Sequence, residues 1–399
     1  MPHLSNKGIQ LPTSPIRKLV VYSDQAKAKG IEVYHLNIGQ PDIAAPKEAI
    51  EAVKNADLTL LPYGPSQGTL TYRQKLCAYY KKHDISVEPD DVLVTTGASE
   101  ALTFALNVIC DAGDEIIIPE PFYANYNGFA SAASVDVIPV VSEFTSQFQL
   151  PALENITGKI TKKTKAILLC NPSNPTGYVY SKKEINALVE LAIEKDIFLI
   201  VDEVYREFIH GGNEHYSVLQ HPKGANHTVM IDSVSKRYSL CGARVGCIVS
   251  KNNALIENVL KFAHLRLSPP TYALMASEAA LDAPASYLEE VIAEYGKRRD
   301  VLIEHLEKIP NVEVSHPMGA FYCIVKLPVA DAEYFSKYLL TDFNDDNQTV
   351  MLAPARGFYS TPGIGLNEVR IAFILDSKKL IRAVSILEKA LIAYQKLVS

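Results

Sequence analysis

The middle of the chain alternates short apolar runs with segments of helical periodicity, and this alternation limits the possible folds more than any other feature. Apolar residues recur at helical spacing in segments such as 99–110 and 183–194. The runs between such segments are apolar throughout, which is typical of strands buried on both faces of a parallel sheet. They lie at residues 92–95, 115–118, 135–140, 165–169, 198–201, 228–231 and 245–249. The pattern predicts an α/β fold, with a three-layer α/β/α large domain around a mostly parallel seven-stranded sheet.

The two flanks of this region have a different pattern. Residues 16–29 predict an amphipathic helix that Gly30 ends. Beyond Pro269 the chain predicts long helices, notably over 285–308, and a polar surface loop at 342–347. Short strands are expected near Val312 and at 321–325, 350–352 and 369–373, with a last helix from Ser377. The sequence thus predicts a large α/β domain over 49–274 and a smaller α+β domain built from 1–48 and 275–399.

Composition excludes several classes of function. The 399 residues carry 39 basic and 45 acidic side chains, a net charge of −6, so no extended basic surface for nucleic acid is expected. No run reaches the ~18 apolar residues of a membrane span, and residues 1–12 lack the apolar core of a signal peptide. The six cysteines have no metal-like spacing. We therefore expect a cytoplasmic protein with no nucleic-acid or membrane partner and no metal site.

Three polar segments each follow one of the predicted strands. The stretch NPSNPTG at 171–177 ends a strand in a rigid turn, at the edge where open α/β sheets bind their ligands. Asp202 ends an apolar run and needs a cation or strong donors if it is buried. Lys236 follows two serines, and Arg244 lies between two glycines; lysine can form a Schiff base, and arginine with glycine suits a phosphate. Taken singly, these segments also fit an ordinary strand-to-helix connection, a helix-capping aspartate and a solvated basic loop.

Together the three segments resemble the signature of the fold-type I pyridoxal-phosphate-dependent aminotransferases, the class I/II or aspartate aminotransferase superfamily. Further matches follow the family's order over nearly the whole chain: LNIGQPD at 36–42, YGPSQG at 63–68, TGASE at 96–100, PEPFY at 119–123 and VRIA at 369–372. The resemblance implies pyridoxal 5′-phosphate as the cofactor.

The resemblance also implies a role for each residue around that cofactor. Lys236 would hold it as an aldimine and, once released, move the substrate proton. Asp202 would pair with the protonated pyridine nitrogen, and Tyr205 and Asn174 would hydrogen-bond the phenolic oxygen of the ring. Tyr123 would stack on the ring. The phosphate would be bound by Gly97, Ala98 and Ser99 at a helix start and by Ser233, Ser235 and Arg244.

Substrate binding is implied for Arg370, Gly39 and Asn174. Arg370 would hold the α-carboxylate in a two-pronged salt bridge, and Gly39 would let the backbone approach the substrate. In the family, the residue at the position of Tyr63 reaches the phosphate of the neighbouring subunit. The resemblance therefore implies a homodimer with shared sites.

The implied reaction is a ping-pong transfer of an amino group from an L-amino acid, which we predict to be aspartate or glutamate, to a 2-oxo acid such as 2-oxoglutarate. Ser99 stands where some aspartate-specific relatives have a lysine for the side-chain carboxylate, so Arg237 and Arg266 are candidates for that carboxylate.

Several alternatives fit parts of the pattern. An aminotransferase for aromatic, alanine or other neutral amino acids, or a C–S β-lyase of the same fold, would use the same residues. A regulatory cofactor-binding protein would be expected to carry an attached DNA-binding module, for which the residues before the first predicted helix leave little room. A nicotinamide dehydrogenase would leave Lys236 without a role, and the chain has no GxGxxG.

Overall fold

The structure, a computed structural model, describes residues 2–11 and 17–398. The helix predicted over 16–29 is present as Val20–Ala28, and Ile16 lies outside the described residues. Residues 17–19 form a turn before the helix, and its N-cap residue, Leu19, has an apolar side chain that cannot cap it by a hydrogen bond. It ends where predicted, with Gly30 following at a φ of +83°, a left-handed conformation that favours glycine.

Helices and strands alternate along most of the described chain. The strands are β1 Glu32–His35, β2 Val92–Thr95, β3 Glu115–Glu120, β4 Asp136–Val141, β5 Thr164–Cys170, β6 Phe198–Asp202, β7 Thr228–Ser233, β8 Gly246–Val249, β9 Glu313–Val314, β10 Tyr322–Lys326, β11 Gln348–Met351, β12 Ala353–Pro354 and β13 Glu368–Ala372. The helices are α1 Asn6–Gln10, α2 Val20–Ala28, α3 Lys47–Lys54, α4 Leu70–Lys81, α5 Gly97–Ile109, α6 Asn125–Ala133, α7 Leu153–Thr157, α8 Lys182–Lys195, α9 Val234–Arg237, α10 Asn253–Arg266, α11 Thr271–Ala280, α12 Ala285–Leu306, α13 Ala332–Thr341 and α14 Ser377–Val398.

The strands predicted in the middle of the chain are β2 to β8, and they form one seven-stranded sheet in the order β2-β8-β7-β6-β5-β3-β4. Neighbouring strands are parallel, except that β8 runs antiparallel to both β2 and β7. The strands begin and end close to their predicted bounds. The prediction of a mostly parallel seven-stranded sheet is confirmed.

Alternate residues of these strands pack in two separate hydrophobic cores. In β6, Ile200 belongs to the core that includes side chains of α5, α10 and α12. Leu199 and Val201 belong to the core that includes side chains of α4, α8 and α11. Helices therefore cover both faces of the sheet, as predicted. The strands are apolar throughout because successive side chains point to opposite faces and each face is buried.

The two ends of the chain meet in smaller sheets. β12, β13, β10 and β9 form a four-stranded antiparallel sheet in that order. β1 pairs in parallel with β11, so that Val33 lies opposite Thr349. This pairing is what a smaller domain built from both chain ends requires. The division into 49–274 and into 1–48 with 275–399 stays a prediction.

The strand order brings the chemically interesting segments to one edge of the large sheet. Cys170 at the end of β5 pairs with Asp202 at the end of β6, and Asp202 pairs with Ile231 in β7. The segments that follow these parallel strands therefore leave the sheet side by side. No helix among the described residues is both long and apolar enough to cross a membrane.

Candidate active site

A cavity of about 810 Å³ opens at this edge, between the large sheet and the smaller sheets. Nearly all of the residues predicted for the site line it: Gly39, Ala98, Ser99, Tyr123, Asn174, Asp202, Tyr205, Ser233, Ser235, Lys236, Arg244 and Arg370. They come from segments far apart in the sequence, and the strand order alone brings most of them together.

Two predicted residues do not line the cavity. Gly97 lies directly behind it, at a φ of +76°, and a Cβ there would clash with the Arg244 guanidinium. Glycine is therefore required both by the backbone conformation and by the close approach of Arg244. Tyr63 is 80% exposed and is not among the residues that line the cavity, and its predicted contribution to a neighbouring subunit stays a prediction.

Asp202 is a buried carboxylate, only 5% exposed, at the carboxyl end of β6. The Tyr126 hydroxyl donates to its Oδ2 at 2.9 Å, and the Val204 N–H donates to its Oδ1 at 3.3 Å. Burial raises the pKa of Asp202 to about 6, although both hydrogen bonds favour the ionised form. It forms no ion pair within residues 2–11 and 17–398. The carboxylate thus faces the cavity without a cationic partner.

Lys236 extends from the short helix α9 to the opposite wall of the cavity. Its Nζ donates to the Gly39 carbonyl oxygen at 2.8 Å and lies 3.8 Å from the Cys241 Sγ. A Cβ at Gly39 would clash with the Tyr322 hydroxyl, so only glycine lets the backbone pass this close. The amine is therefore held between the large sheet and the N-terminal segment.

The start of α5 and the turn around α9 form a cradle of hydrogen-bond donors. The first N–H groups of α5 have no intrahelical partner, and Thr96 does not cap them with its side chain. Ser233 Oγ lies 2.8 Å from Ser235 Oγ, and Arg244 Nη1 donates to the Cys241 carbonyl oxygen at 2.9 Å. A helix start beside hydroxyls and a guanidinium is a site for a phosphate-like anion.

Arg370, in β13, is a buried cation whose neighbours are neutral; it is 2% exposed. Its Nη1 donates to Asn174 Oδ1 at 2.9 Å and its Nη2 to the Asn37 carbonyl oxygen at 2.5 Å. The guanidinium carbon lies 4.4 Å from the ring centroid of Tyr322. Its Nε has no hydrogen-bond partner, and no carboxylate pairs with it among the described residues. A carboxylate ligand would supply the missing charge.

Two tyrosines of the site keep their protons because they are buried. The Tyr205 hydroxyl lies 2.8 Å from that of Tyr322, and burial raises the pKa of Tyr205 well above its ordinary value. Burial raises the pKa of Tyr123 to about 12, while its hydroxyl accepts a hydrogen bond from Asn125 Nδ2 at 2.8 Å. Both hydroxyls are therefore neutral hydrogen-bonding groups at neutral pH.

Several residues in or next to the cavity were not predicted. Tyr126, in α6, donates to Asp202, and its place just after the motif at 119–123 could have indicated it. Asn37 is a polar residue in a buried stretch, which was also a usable signal. Tyr322 and Arg17 line the cavity as well, and nothing in their local sequence distinguishes them.

The structure places neither candidate for a side-chain carboxylate in the cavity. Arg237 is buried behind it in an ion pair with Asp232. Arg266 pairs with Glu100 at 3.3 Å and donates to the Ser66 carbonyl oxygen at 2.8 Å. Both guanidiniums are held by the protein itself, because each has an acidic partner that the sequence pattern did not reveal.

Comparisons with known proteins agree with this arrangement. The family model described as aminotransferase class I and II matches residues 31–387. An aspartate aminotransferase of Pyrococcus horikoshii is 29% identical over 394 residues, covering 97% of each chain. One of Bacillus subtilis is 30% identical over 374 residues, covering 91% of this chain and 94% of its own.

Solved structures show the same fold. An aspartate aminotransferase from Thermus thermophilus with maleate has a TM-score of 0.89 at 26% identity, covering 98% of this chain and 100% of its own. An alanine aminotransferase from Pyrococcus furiosus has a TM-score of 0.90 at 29% identity, with the same coverage. The predicted fold and enzyme class are confirmed, and the chain belongs to the class I and II aminotransferases, the fold-type I family that its motifs resemble.

Proposed function

We propose that this chain is a pyridoxal-phosphate-dependent aminotransferase that transfers the amino group of aspartate or glutamate to a 2-oxo acid such as 2-oxoglutarate. One observation carries the proposal. A single cavity holds a buried carboxylate without a cation, Asp202, a buried guanidinium without a carboxylate, Arg370, and the amine of Lys236. A pyridinium cofactor and an amino-acid substrate supply the charges that both buried groups lack.

The donor set around the cavity fits pyridoxal phosphate. Asp202 would bind the ring nitrogen, Tyr205 and Asn174 the phenolic oxygen, and Tyr123 the face of the ring. The phosphate would be held by the N–H groups at the start of α5 and by Ser233, Ser235 and Arg244. When bound, the cofactor supplies an electron sink that acidifies the proton on the substrate Cα.

Lys236 would anchor the cofactor covalently and then act as the base. Its amine already lies inside the cavity, where the Gly39 carbonyl oxygen holds it at 2.8 Å. Once the substrate has replaced it, this amine would accept the proton from the substrate Cα and later return it. The hydrogen bond to Gly39 keeps the amine inside the cavity, so the proton would move without large rearrangement.

The excess of basic over acidic side chains in the cavity favours a substrate with two carboxylates. The basic side chains that line it are Arg17, Lys236, Arg244 and Arg370, and Asp202 is the one acid among the described lining residues. The cofactor's phosphate would take Arg244 and the α-carboxylate would take Arg370. Arg17 is then the cation left for a side-chain carboxylate, in place of Arg237 and Arg266.

A neutral amino acid is the second candidate substrate, because one structural neighbour is an alanine aminotransferase. The two candidates differ in whether Arg17 has an anion to bind. Arg17→Gln should raise the KM for aspartate or glutamate and leave the KM for alanine unchanged if the acidic substrate is correct. A change of equal size for alanine would contradict the role of Arg17.

We also propose a cytoplasmic homodimer in which Tyr63 reaches the phosphate site of the neighbouring subunit. Leu265 is 82% exposed. It lies close to the segment of Tyr63, because its neighbour Arg266 donates a hydrogen bond to the Ser66 carbonyl oxygen. Exposed apolar side chains grouped in this way are typical of a surface that a partner covers. Sedimentation should give a dimer, and a monomer would contradict the shared site.

The function is tested by a steady-state screen of amino donors against 2-oxoglutarate, pyruvate and oxaloacetate. An aminotransferase forms a new amino acid, whereas a C–S β-lyase forms ammonia and pyruvate. Borohydride reduction of the holoenzyme should fix the cofactor on Lys236, and Lys236→Ala should lose turnover. Cofactor attached to another lysine would remove the central assignment.

A further inference from the structure

Glu120, the last residue of β3, is a buried carboxylate that the proposed reaction does not use. Its Oε2 accepts hydrogen bonds from two main-chain N–H groups, that of Ser360 at 2.6 Å and that of Thr361 at 3.2 Å. Its Oε1 has no hydrogen-bond partner, and no Lys, Arg or His within the described residues pairs with it. Burying a carboxylate without a cation lowers the stability of the fold. The hydrogen bonds from the two N–H groups offset part of this loss, and their role needs an explanation.

The two segments that Glu120 joins belong to different sheets. β3 is a strand of the seven-stranded sheet, whereas Ser360 and Thr361 lie between β12 and β13 of the four-stranded sheet. Next to the carboxylate, the Phe122 N–H donates to the Phe358 carbonyl oxygen at 2.9 Å. A separate hydrophobic cluster spans the same junction and includes Ala124, Phe144, Phe148, Ile324, Ala355 and Phe358. Glu120 is thus the charged element of a junction that connects the two sheets.

This junction extends directly to Arg370. The Phe358 ring centroid lies 5.0 Å from the Arg370 guanidinium carbon, so Phe358 forms part of the wall against which that side chain packs. Tyr123, three residues after Glu120, lines the cavity on the other side. A displacement of residues 355–361 would therefore move the packing of Arg370 without touching Lys236 or Asp202.

We propose that Glu120 is a positioning residue for substrate binding: by holding the main chain at Ser360 and Thr361 it keeps Phe358, and with it Arg370, in place for the carboxylate of the amino acid and the 2-oxo acid. The inference rests on the proposed function, because it takes Arg370 as the group that binds this carboxylate. It assigns Glu120 no contact with substrate or cofactor.

Two variants separate the charge of Glu120 from its size. Glu120→Ala removes the acceptor, and Glu120→Gln keeps the shape but weakens the bonds to the two N–H groups. We expect the KM for aspartate and for 2-oxoglutarate to rise about tenfold in Glu120→Ala and by less in Glu120→Gln, with kcat nearly unchanged. Glu143→Gln removes an exposed carboxylate nearby that makes none of these bonds, and it should leave both KM values unchanged.

Amide hydrogen exchange tests the junction directly and needs no cofactor. In Glu120→Ala, the amides of Ser360 and Thr361 should exchange faster than in the wild-type protein, whereas in Glu143→Gln they should not. Cofactor affinity and the visible absorption of the holoenzyme should be the same in all three proteins. Among the described residues, the Glu120 side chain bonds only the main chain at Ser360 and Thr361. The Tyr123 hydroxyl is held separately by Asn125. A changed cofactor affinity in Glu120→Gln would overturn the assignment to substrate binding.

Arg370→Lys distinguishes a failure of this inference from a failure of the proposed function. If Glu120 acts through Arg370, combining Glu120→Ala with Arg370→Lys raises the KM by less than the product of the two single effects. If Arg370→Lys raises the KM but both Glu120 variants leave it unchanged, the role of Glu120 alone is wrong. If Arg370→Lys itself leaves both KM values unchanged, the role proposed for Arg370 is wrong and the inference about Glu120 falls with it.

Discussion

Asp202, the last residue of β6, and Asp232, the last but one of the neighbouring parallel strand β7, have opposite electrostatic surroundings. Both are buried. Asp232 forms an ion pair with Arg237 and accepts a hydrogen bond from the Tyr80 hydroxyl at 2.8 Å. Burial alone would raise the pKa of Asp232. The charges of Arg237 and Arg206, together with the hydrogen bonds from Arg237 and Tyr80, outweigh burial and hold that pKa below its ordinary value. Asp202 has no such cation, and its pKa is raised to about 6.

Whether each aspartate has an ion-pair partner depends on the face of the sheet to which its side chain points. Asp202 pairs with Ile231, so the side chain of Asp232, one residue further along β7, points to the opposite face. On that face the protein supplies its own cation. On the cavity face, no described residue forms an ion pair with Asp202, and a buried carboxylate without such a partner lowers stability. The two aspartates should therefore respond in opposite ways to removal of charge.

The largest effect is expected on the face of the sheet where Asp232 forms an ion pair with Arg237. Arg237→Met removes the ion-pair partner of the buried Asp232, which should lower the free energy of unfolding by about 3–5 kcal/mol. Urea denaturation of the protein without cofactor measures this loss. The matched control combines Arg237→Met with Asp232→Asn, which removes both charges and should recover most of the stability. A single variant as stable as the wild type would show that the pair does not stabilise the fold.

A smaller effect of opposite sign is expected at Asp202. A carboxyl group with a raised pKa in the folded state stabilises the fold only while it is protonated, so stability falls as the pH rises from its unfolded pKa of 3.8 towards about 6. The loss amounts to about 3 kcal/mol at pH 8. Asp202→Asn should remove it, making the cofactor-free protein more stable at pH 8 and no more stable at pH 4, while turnover is lost.

Urea denaturation at the two pH values, set beside steady-state rates, tests this contrast. An Asp202→Asn protein that is less stable at pH 8 would mean that Asp202 is satisfied within the fold, as Asp232 is. Unchanged turnover would remove Asp202 from the reaction.

The same comparison explains which parts of the site the sequence could predict. Asp202 and Lys236 were found because each lies in a polar segment directly after an apolar run, which is a local signal. Arg237 was misread as a candidate for substrate binding, because one residue step along the short helix α9 turns it away from the side of Lys236. A step of this kind is decided by the tertiary structure, since a four-residue helix has no periodicity to read.

Contacts between distant segments were beyond the reach of the sequence pattern. The hydrogen bond between Arg370 and Asn174 joins residues that are 196 positions apart. The local pattern singled out the segment of Asn174, but Arg370 was predicted only through the family resemblance. Neither a local pattern nor the family resemblance indicated the contact of Glu120 with Ser360. The seven strands of the large sheet, by contrast, were predicted from local patterns alone, because burial on both faces makes nearly every residue of such a strand apolar.

The smallest of these effects concerns Tyr126, whose side chain donates a hydrogen bond to the buried Asp202 carboxylate. The Tyr126 hydroxyl donates to Asp202 and so lowers the pKa of that carboxyl against the larger effect of burial. Tyr126→Phe should raise this pKa above about 6 and widen the stability difference between pH 4 and pH 8 by about 1.5 kcal/mol in the cofactor-free protein. Tyr123→Phe is the matched control, because the Tyr123 hydroxyl bonds to Asn125 instead of Asp202. If both variants widened the stability difference between pH 4 and pH 8 equally, the Tyr126 hydroxyl would not be stabilising the ionised carboxylate. Asp202 would then depend on a bound ligand more than its hydrogen bond from Tyr126 indicates.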